Sequence, residues 1–262
     1  MLPNFLIIGA PRSGTDFLFY SLAAHPKICI ARKREVHYFD RNYDKEPFWY
    51  EQFFSHCATS QHIGEKTANY LINPECAKRI KETLGEVKLI VILRNPIERL
   101  YSHYRNWVGL GRIDLQTSFR KFIRLYPEIL AMGNYYDLLK KYLAYFEMNH
   151  ILVIFFDELI NFPSRIYNEV LAFLSINDKY QLKEFKKYNV AKKIYRFRGY
   201  ILSQRDLKIV EKLLPESLAL KLLAFIEYKF QPISAEDKVF LREYYREQNE
   251  KLFNLLNIHK DW

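Results

Sequence analysis

Cysteine is scarce: Cys29, Cys57 and Cys76 are the only three in 262 residues. Their spacing matches no metal-ligand pattern and an odd count does not fit a disulfide framework, so reduced thiols in a cytosolic protein are expected. Long apolar runs are missing as well. Leu89–Leu93 and Ile151–Phe156 are far too short to cross a bilayer. The first strand-like run begins at Phe5, leaving no room for a signal peptide or anchor, and the expectation is a cytoplasmic protein without membrane contact. Internal repeats, low-complexity tracts and clear linkers are absent, which favours a single domain over residues 1–262. Nothing resembling a helix-turn-helix, RNP or zinc-finger pattern accompanies the basic segments, so a nucleic-acid partner is not expected.

What is present is an aromatic, basic chain. Hydrophobic residues make up 49% and aromatics 16%, enough to build a core and to exclude disorder. The formal charge of +10 calls for an anionic partner of some kind.

The stretch FLIIGAPRSGTDFLFYSLAA, Phe5 to Ala24, organises the rest. A short apolar strand, a glycine-bounded loop from Gly9 to Thr15 and a helix form an anion cradle. Unpaired amides of the first helical turn and the helix dipole face the loop, and the glycines allow close approach. Arg12 adds a full charge. The loop falls one residue short of the nucleotide-binding pattern G-x-x-x-x-G-K-[ST], because Thr15 follows Gly14 and no lysine stands between them.

A second anion site follows the apolar strand Val87–Leu93, which ends in Arg94-Asn95-Pro96. Asn95 as cap, Pro96 at the first helical position and Glu98 at the third predict a helix bearing Ser102 and His103. In ATP-hydrolysing proteins such a strand ends in a magnesium-organising aspartate. Here an arginine stands at the carboxyl end, suited to gripping a phosphate directly, and Ser102 can add a hydroxyl. Between these sites, Arg32–Asp40 (RKREVHYFD) places Glu35 and His37 on one face if the stretch is extended. Lys66 sits in a polar turn within IGEKTANYL. Asp157 and Glu158 are expected to cap a short helix rather than hold a metal. The basic cluster Lys192–Arg198 fits a lid over a nucleotide, and the tail from Ile209 onward reads as helical.

Together, GAPRSGT, REVHYFD, GEKTANYL and LRNPIERLYSHY resemble the sulfotransferase family, including its compact bacterial and heparan-sulfate-type members, in order and spacing. The resemblance implies an α/β, P-loop-like fold: a central parallel sheet of about five strands flanked by helices, with a helical C-terminal region. It implies 3'-phosphoadenosine 5'-phosphosulfate (PAPS) as donor, the bisphosphate PAP as product and no metal. Arg12, Ser13, Gly14, Thr15 and Asp16 would hold the 5'-phosphosulfate, Arg12 standing where many relatives carry a catalytic lysine. Arg94 and Ser102 would hold the 3'-phosphate, and Lys193, Arg196 and Arg198 would close over the donor. Lys66 would sit near the sulfate, and Glu35 would be the general base with His37 in competition. Two departures are the acid at Asp16, in place of a hydroxyl residue, and Arg34, in place of lysine.

The expected function is sulfuryl transfer to a hydroxyl of a small molecule, a natural product or a sugar derivative, in a cytoplasmic bacterial tailoring enzyme. A glycan O-sulfotransferase, a P-loop kinase or NTPase and a non-catalytic polyanion binder are the alternatives.

Overall fold

In the parallel sheet, alternate residues of a strand face opposite layers, and the chain obeys this closely. The computed structural model describes residues 1–58, 60–177, 180, 182, 194–197, 200–201, 212–215, 218, 222–223 and 227–262. Its main sheet comprises β1 (Phe5–Gly9), β2 (Ile28–Ile30), β3 (His62–Lys66), β4 (Lys88–Leu93) and β5 (Ile151–Phe155), in the order β2-β3-β1-β4-β5 and parallel throughout. Leu6 and Ile8 of β1, with Leu89, Val91 and Leu93 of β4, enter one core layer. Phe5 and Ile7, with Ile90 and Ile92, enter the other. Both faces are covered, which is why these strands are apolar almost throughout. The expected architecture of about five parallel strands flanked by helices is what the protein has.

Helices α1 (Thr15–Ala23), α2 (Tyr38–Arg41), α3 (Pro47–Glu51), α4 (Cys76–Leu84) and α5 (Pro96–Gly109) follow the first four strands. Helices α6 (Phe119–Leu125), α7 (Pro127–Ala131) and α8 (Tyr135–Leu143) precede β5; α9 (Phe156–Asn161) and α10 (Pro163–Phe173) follow it. The C-terminal helix α11 (Ala235–Leu256) sends Leu241 and Tyr245 into a third cluster with Ile97, Leu100 and Tyr104 of α5. Helix α5 begins as its sequence dictates: Asn95 Oδ1 accepts from the amides of Ile97 and Glu98. Glu98, however, pairs with Arg94.

Two expectations are corrected here. Cys29 and Cys57 form a disulfide with a Cα–Cα separation of 5.6 Å, tying β2 to the turn after α3, and only Cys76 is a free, buried thiol. An odd count left one cysteine over; it did not prevent the other two from meeting. The tail is not helical throughout either. Glu227–Tyr228 forms β8, which pairs with β6 (Ile194–Phe197) and, through it, with β7 (Tyr200–Ile201) in a small antiparallel sheet.

Candidate active site

Because β1, β2, β3 and β4 run parallel, their carboxyl ends deliver four segments to one edge of the sheet, where open α/β sheets hold ligands. After β1 the chain turns through Gly9–Gly14. Gly14 takes a left-handed φ of 85° as it starts α1, with Phe156 ring carbons 3.0 Å from where a Cβ would stand. A side chain there would be strained and would collide with Phe156, so glycine is what lets the loop pass into α1 at this point. Ser13 is fully buried, and its Oγ has no hydrogen-bond partner.

Arg12 and Arg94 lie together. Arg94 Nη1 approaches the Arg12 carbonyl at 3.5 Å, and Arg12 Nε donates to Ser102 Oγ at 3.3 Å. Burial and the neighbouring Arg94 guanidinium hold Arg12 below its ordinary pKa. The Arg94 guanidinium stacks on Phe156 with its carbon 4.6 Å from the ring centroid. Two cations expected at opposite ends of a ligand therefore form one continuous wall, with Arg12 leaning toward Ser102.

The other side of the edge is a chain of ion pairs. Lys66 is the last residue of β3 rather than part of a turn, and its side chain is only 2% exposed. Its Nζ donates to Asp16 Oδ1 at 2.6 Å and to Glu35 Oε1 at 2.9 Å. Asp16, which looked like a misplaced acid beside an anion site, is thus the partner of a buried cation. Arg34 lies 3.7 Å from Asp16 as well. Glu35 continues the chain to His37, whose Nε2 is 3.8 Å from Glu35 Oε2 and whose Nδ1 lies 2.9 Å from Asp40 Oδ2.

These contacts set the protonation states. His37 is pushed up to about 9 by its hydrogen bond to Asp40 and then by the nearby Glu35 carboxylate, against burial, so the imidazolium is the resting form at neutral pH. Burial alone would raise Glu35, but the nearby His37 imidazolium and the charge and hydrogen bond of Lys66 outweigh it and hold the carboxyl far below its usual range. Glu35 is therefore ionised and His37 already charged; a carboxylate held this low accepts a proton only once Lys66 or His37 moves off it.

Asp40 was not among the expected site residues, although it closes the quoted RKREVHYFD stretch. Glu65 was also missed. It is fully buried and accepts from Thr67 Oγ1 at 2.6 Å, Tyr70 Oη at 2.8 Å and the Tyr50 hydroxyl. Thr67 Oγ1 in turn accepts from the His37 amide at 3.3 Å, and Tyr70 Oη from the Tyr38 amide at 2.9 Å. The network bolts the end of β3 to the segment carrying Glu35 and His37. The only sequence signal for it was an acid next to Lys66 in an otherwise strand-like stretch.

Among the expected lid residues, Arg196 falls within β6, while Lys193 and Arg198 lie outside the described residues. Asp157 and Glu158 lie in the first turn of α9 but do not cap it, the cap position being Phe155 with no side-chain bond, and Lys260 pairs with Asp157 at 2.8 Å.

Residues 2–198 match the model of the sulfotransferase domain. The chain belongs to the sulfotransferase family. A mouse bifunctional heparan sulfate N-deacetylase/N-sulfotransferase 4 is 29% identical over 98% of this chain, which spans 30% of that relative's length. A human heparan sulfate glucosamine 3-O-sulfotransferase 3B1 is 31% identical over 67% of this chain and 46% of its own. Among solved structures, a sulfotransferase from Alicyclobacillus acidocaldarius superposes with a TM-score of 0.74 at 21% identity, covering 99% of this chain and 98% of the other, which shows a shared fold. Among the described residues no helix of this sulfotransferase is long and apolar enough to cross a membrane.

Proposed function

We propose that the protein transfers a sulfuryl group from PAPS to a hydroxyl of a sugar or another small hydroxylated acceptor. The observation that carries this reading is Lys66, a buried ammonium held between an acid of the donor loop, Asp16, and a candidate base, Glu35. It marks the point where donor and acceptor would meet. The residues present fit the donor: Gly14 allows the tight turn from the loop into α1, Ser13 Oγ is buried without a partner, and Arg12, Arg94 and Ser102 form an adjoining basic wall. The donor supplies the activated sulfuryl group.

The chain's own residues do the rest. Ser13, Gly14, Thr15 and Asp16 shape the 5' end of the site, and Arg94 and Ser102 grip the 3'-phosphate through charge-assisted bonds. Arg12 and Lys66 oppose negative charge growing on the leaving phosphate and the moving group. Glu35 removes the acceptor proton, while His37, fixed by Asp40, holds Glu35 in place. Positioning and charge complementarity carry the rate, as in phosphoryl transfer. We read the reaction as metal-independent, since Arg94 stands where a magnesium-organising aspartate would be. We also treat residues 1–262 as one domain, with Arg196 and its neighbours Lys193 and Arg198 as the closing segment.

The sugar reading of the acceptor draws on the relatives. The heparan sulfate enzymes act on a glycan by name, and here Arg32, Lys33 and Arg34 are exposed immediately before Glu35, suited to an acidic acceptor. A natural-product acceptor is the second possibility. For the compartment, the Cys29–Cys57 disulfide favours an oxidising setting and removes the thiol-based ground for a cytoplasmic one.

Thermal shift with PAP, then acceptor screening by mass spectrometry, tests the proposal. PAP should raise Tm and ATP with magnesium should not; the reverse would indicate a kinase or NTPase. No stabilisation by either, with binding to polyanions that falls steeply with salt, would indicate a non-catalytic binder. Glu35→Gln should keep the PAP-induced shift and lower turnover on the order of 100-fold or more; unchanged turnover would remove Glu35 as base.

A further inference from the structure

Arg99 stands one turn beyond the Asn95 cap of α5 and is fully buried. Its Nη2 donates to the Ile129 carbonyl at 2.6 Å and the guanidinium lies beside the neutral Tyr245 hydroxyl, whereas Nε and Nη1 are left without a well-formed hydrogen bond. Among the described residues no carboxylate pairs with it. A buried guanidinium in that condition is costly, and such charges are ordinarily matched by an anion.

The surroundings deepen the imbalance. Ser102, three residues on and so on the same side of the helix, receives Arg12 Nε at 3.3 Å. Arg94 adjoins Arg12 through the loop carbonyl. His103, four residues beyond Arg99, is buried with Nδ1 unpartnered. Burial, then Arg99, Arg12 and Arg112 pull His103 down to about 3, so it stays neutral among these cations. The nearest acid in sequence, Glu98, is 61% exposed and already engaged by Arg94.

We propose that Arg99 is the buried half of the 3'-phosphate site: a positioning cation, itself fully buried, whose compensating charge is the phosphate held by Arg94 and Ser102. This rests on the donor reading above. It follows that Arg99 burdens the empty protein and favours the occupied one, so its removal acts in opposite directions on the two states. A purely structural arginine would weaken both.

The test compares Arg99→Met, which keeps length and loses charge, with Arg99→Lys, which keeps charge. Ligand-free Tm is measured, together with calorimetric Kd for adenosine 3',5'-bisphosphate and for adenosine 5'-monophosphate, which lacks the 3'-phosphate. For Arg99→Met the ligand-free Tm should stay level or rise, bisphosphate binding should weaken on the order of tenfold, and monophosphate binding should not change. Arg99→Lys should bind the bisphosphate within about threefold of wild type. A lower ligand-free Tm with unchanged bisphosphate affinity overturns the proposal, as does equal loss for both nucleotides or equal loss in both variants. If Arg99→Met does not fold, the lysine variant and the NMR titration of His103 in the wild type decide: bisphosphate should raise the His103 pKa, and no movement overturns the idea. Wild type that fails to bind the bisphosphate overturns the donor reading and this proposal with it; wild type that binds, with unaffected variants, overturns this proposal alone.

Discussion

Replacing Lys66 by methionine isolates the ion pairs at the heart of the site, because the chain length is kept and only the ammonium is lost. Two carboxylates, Asp16 and Glu35, then face each other without the cation that lies 2.6 and 2.9 Å from them. Breaking a buried pair in this way costs about 3–5 kcal/mol when the remaining charge is fully desolvated. Here the Glu35 side chain is 29% exposed and that of Asp16 14%, so water absorbs part of the penalty and about 2–3 kcal/mol is expected at pH 7. Urea unfolding reads this as a lower midpoint with an unchanged slope.

The sign of the pH dependence is the sharper check. In the wild type Glu35 is held far below its usual range, so its contribution is present above the unfolded carboxylate value and is lost only in strong acid. Without Lys66 one of the groups holding it down is gone while burial still pushes it up, so the folded variant takes up a proton at higher pH. The penalty should shrink by about half between pH 7 and pH 4.5. Turnover should fall on the order of 100-fold. A penalty that is constant across this range, or a variant as stable as the wild type at pH 7, would refute the reasoning.

Asp40→Asn removes the main cause of the raised His37 pKa. Wild-type stability from His37 is present below about 6.5 and lost as pH rises through about 9, and the variant should lose that alkaline slope in a pH series of unfolding midpoints. An unchanged slope would show that Asp40 does not set the charge of His37. Glu98→Gln frees Arg94 from an exposed pair, so PAP should bind about twofold tighter by calorimetry; weaker binding would mean that Glu98 positions Arg94 instead. Reducing the Cys29–Cys57 bond, whose ends are 28 positions apart, should cost about 3–4 kcal/mol and lower Tm in dithiothreitol; an unmoved Tm would mean that the bond does not form in solution.

The parts legible in sequence were those encoded within a few residues. The strand-loop-helix around Arg12 and the Asn95-Pro96 start of α5 depend on local backbone chemistry, and both stand where expected. What stayed hidden was pairing across strands. Asp16 and Lys66 are 50 residues apart, and their contact exists only because β3 runs beside β1, with Ile7 level with Lys66. Lysine is exposed in most settings, so no local pattern announces one that is buried. The Cys29–Cys57 bond is hidden in the same way, by the packing of the turn after α3 against an edge strand. Two-residue strands such as β8 carry too few residues to show a period of two.

Charge is distributed unequally along this sheet edge, and the inequality accounts for the acid at position 16. On the acceptor side each cation has an acid: Lys66 has Asp16 and Glu35, and His37 has Glu35 and Asp40. On the phosphate side, among the described residues, Arg94 has the exposed Glu98, Arg12 feels Asp16 without pairing with it, and Arg99 has no carboxylate partner. Without Asp16 the buried Lys66 would keep only the partly exposed Glu35 as its partner, and losing one carboxylate from a buried pair costs several kcal/mol. Asp16, in the first turn of α1 directly after the loop, removes that cost while holding Lys66 beside the loop, where under the proposed reaction the ammonium would exchange a carboxylate for a developing negative charge. Replacing Asp16 by threonine should therefore leave phosphate binding intact while destabilising the ligand-free protein, and a drop in PAP affinity without loss of stability would contradict this division of the site.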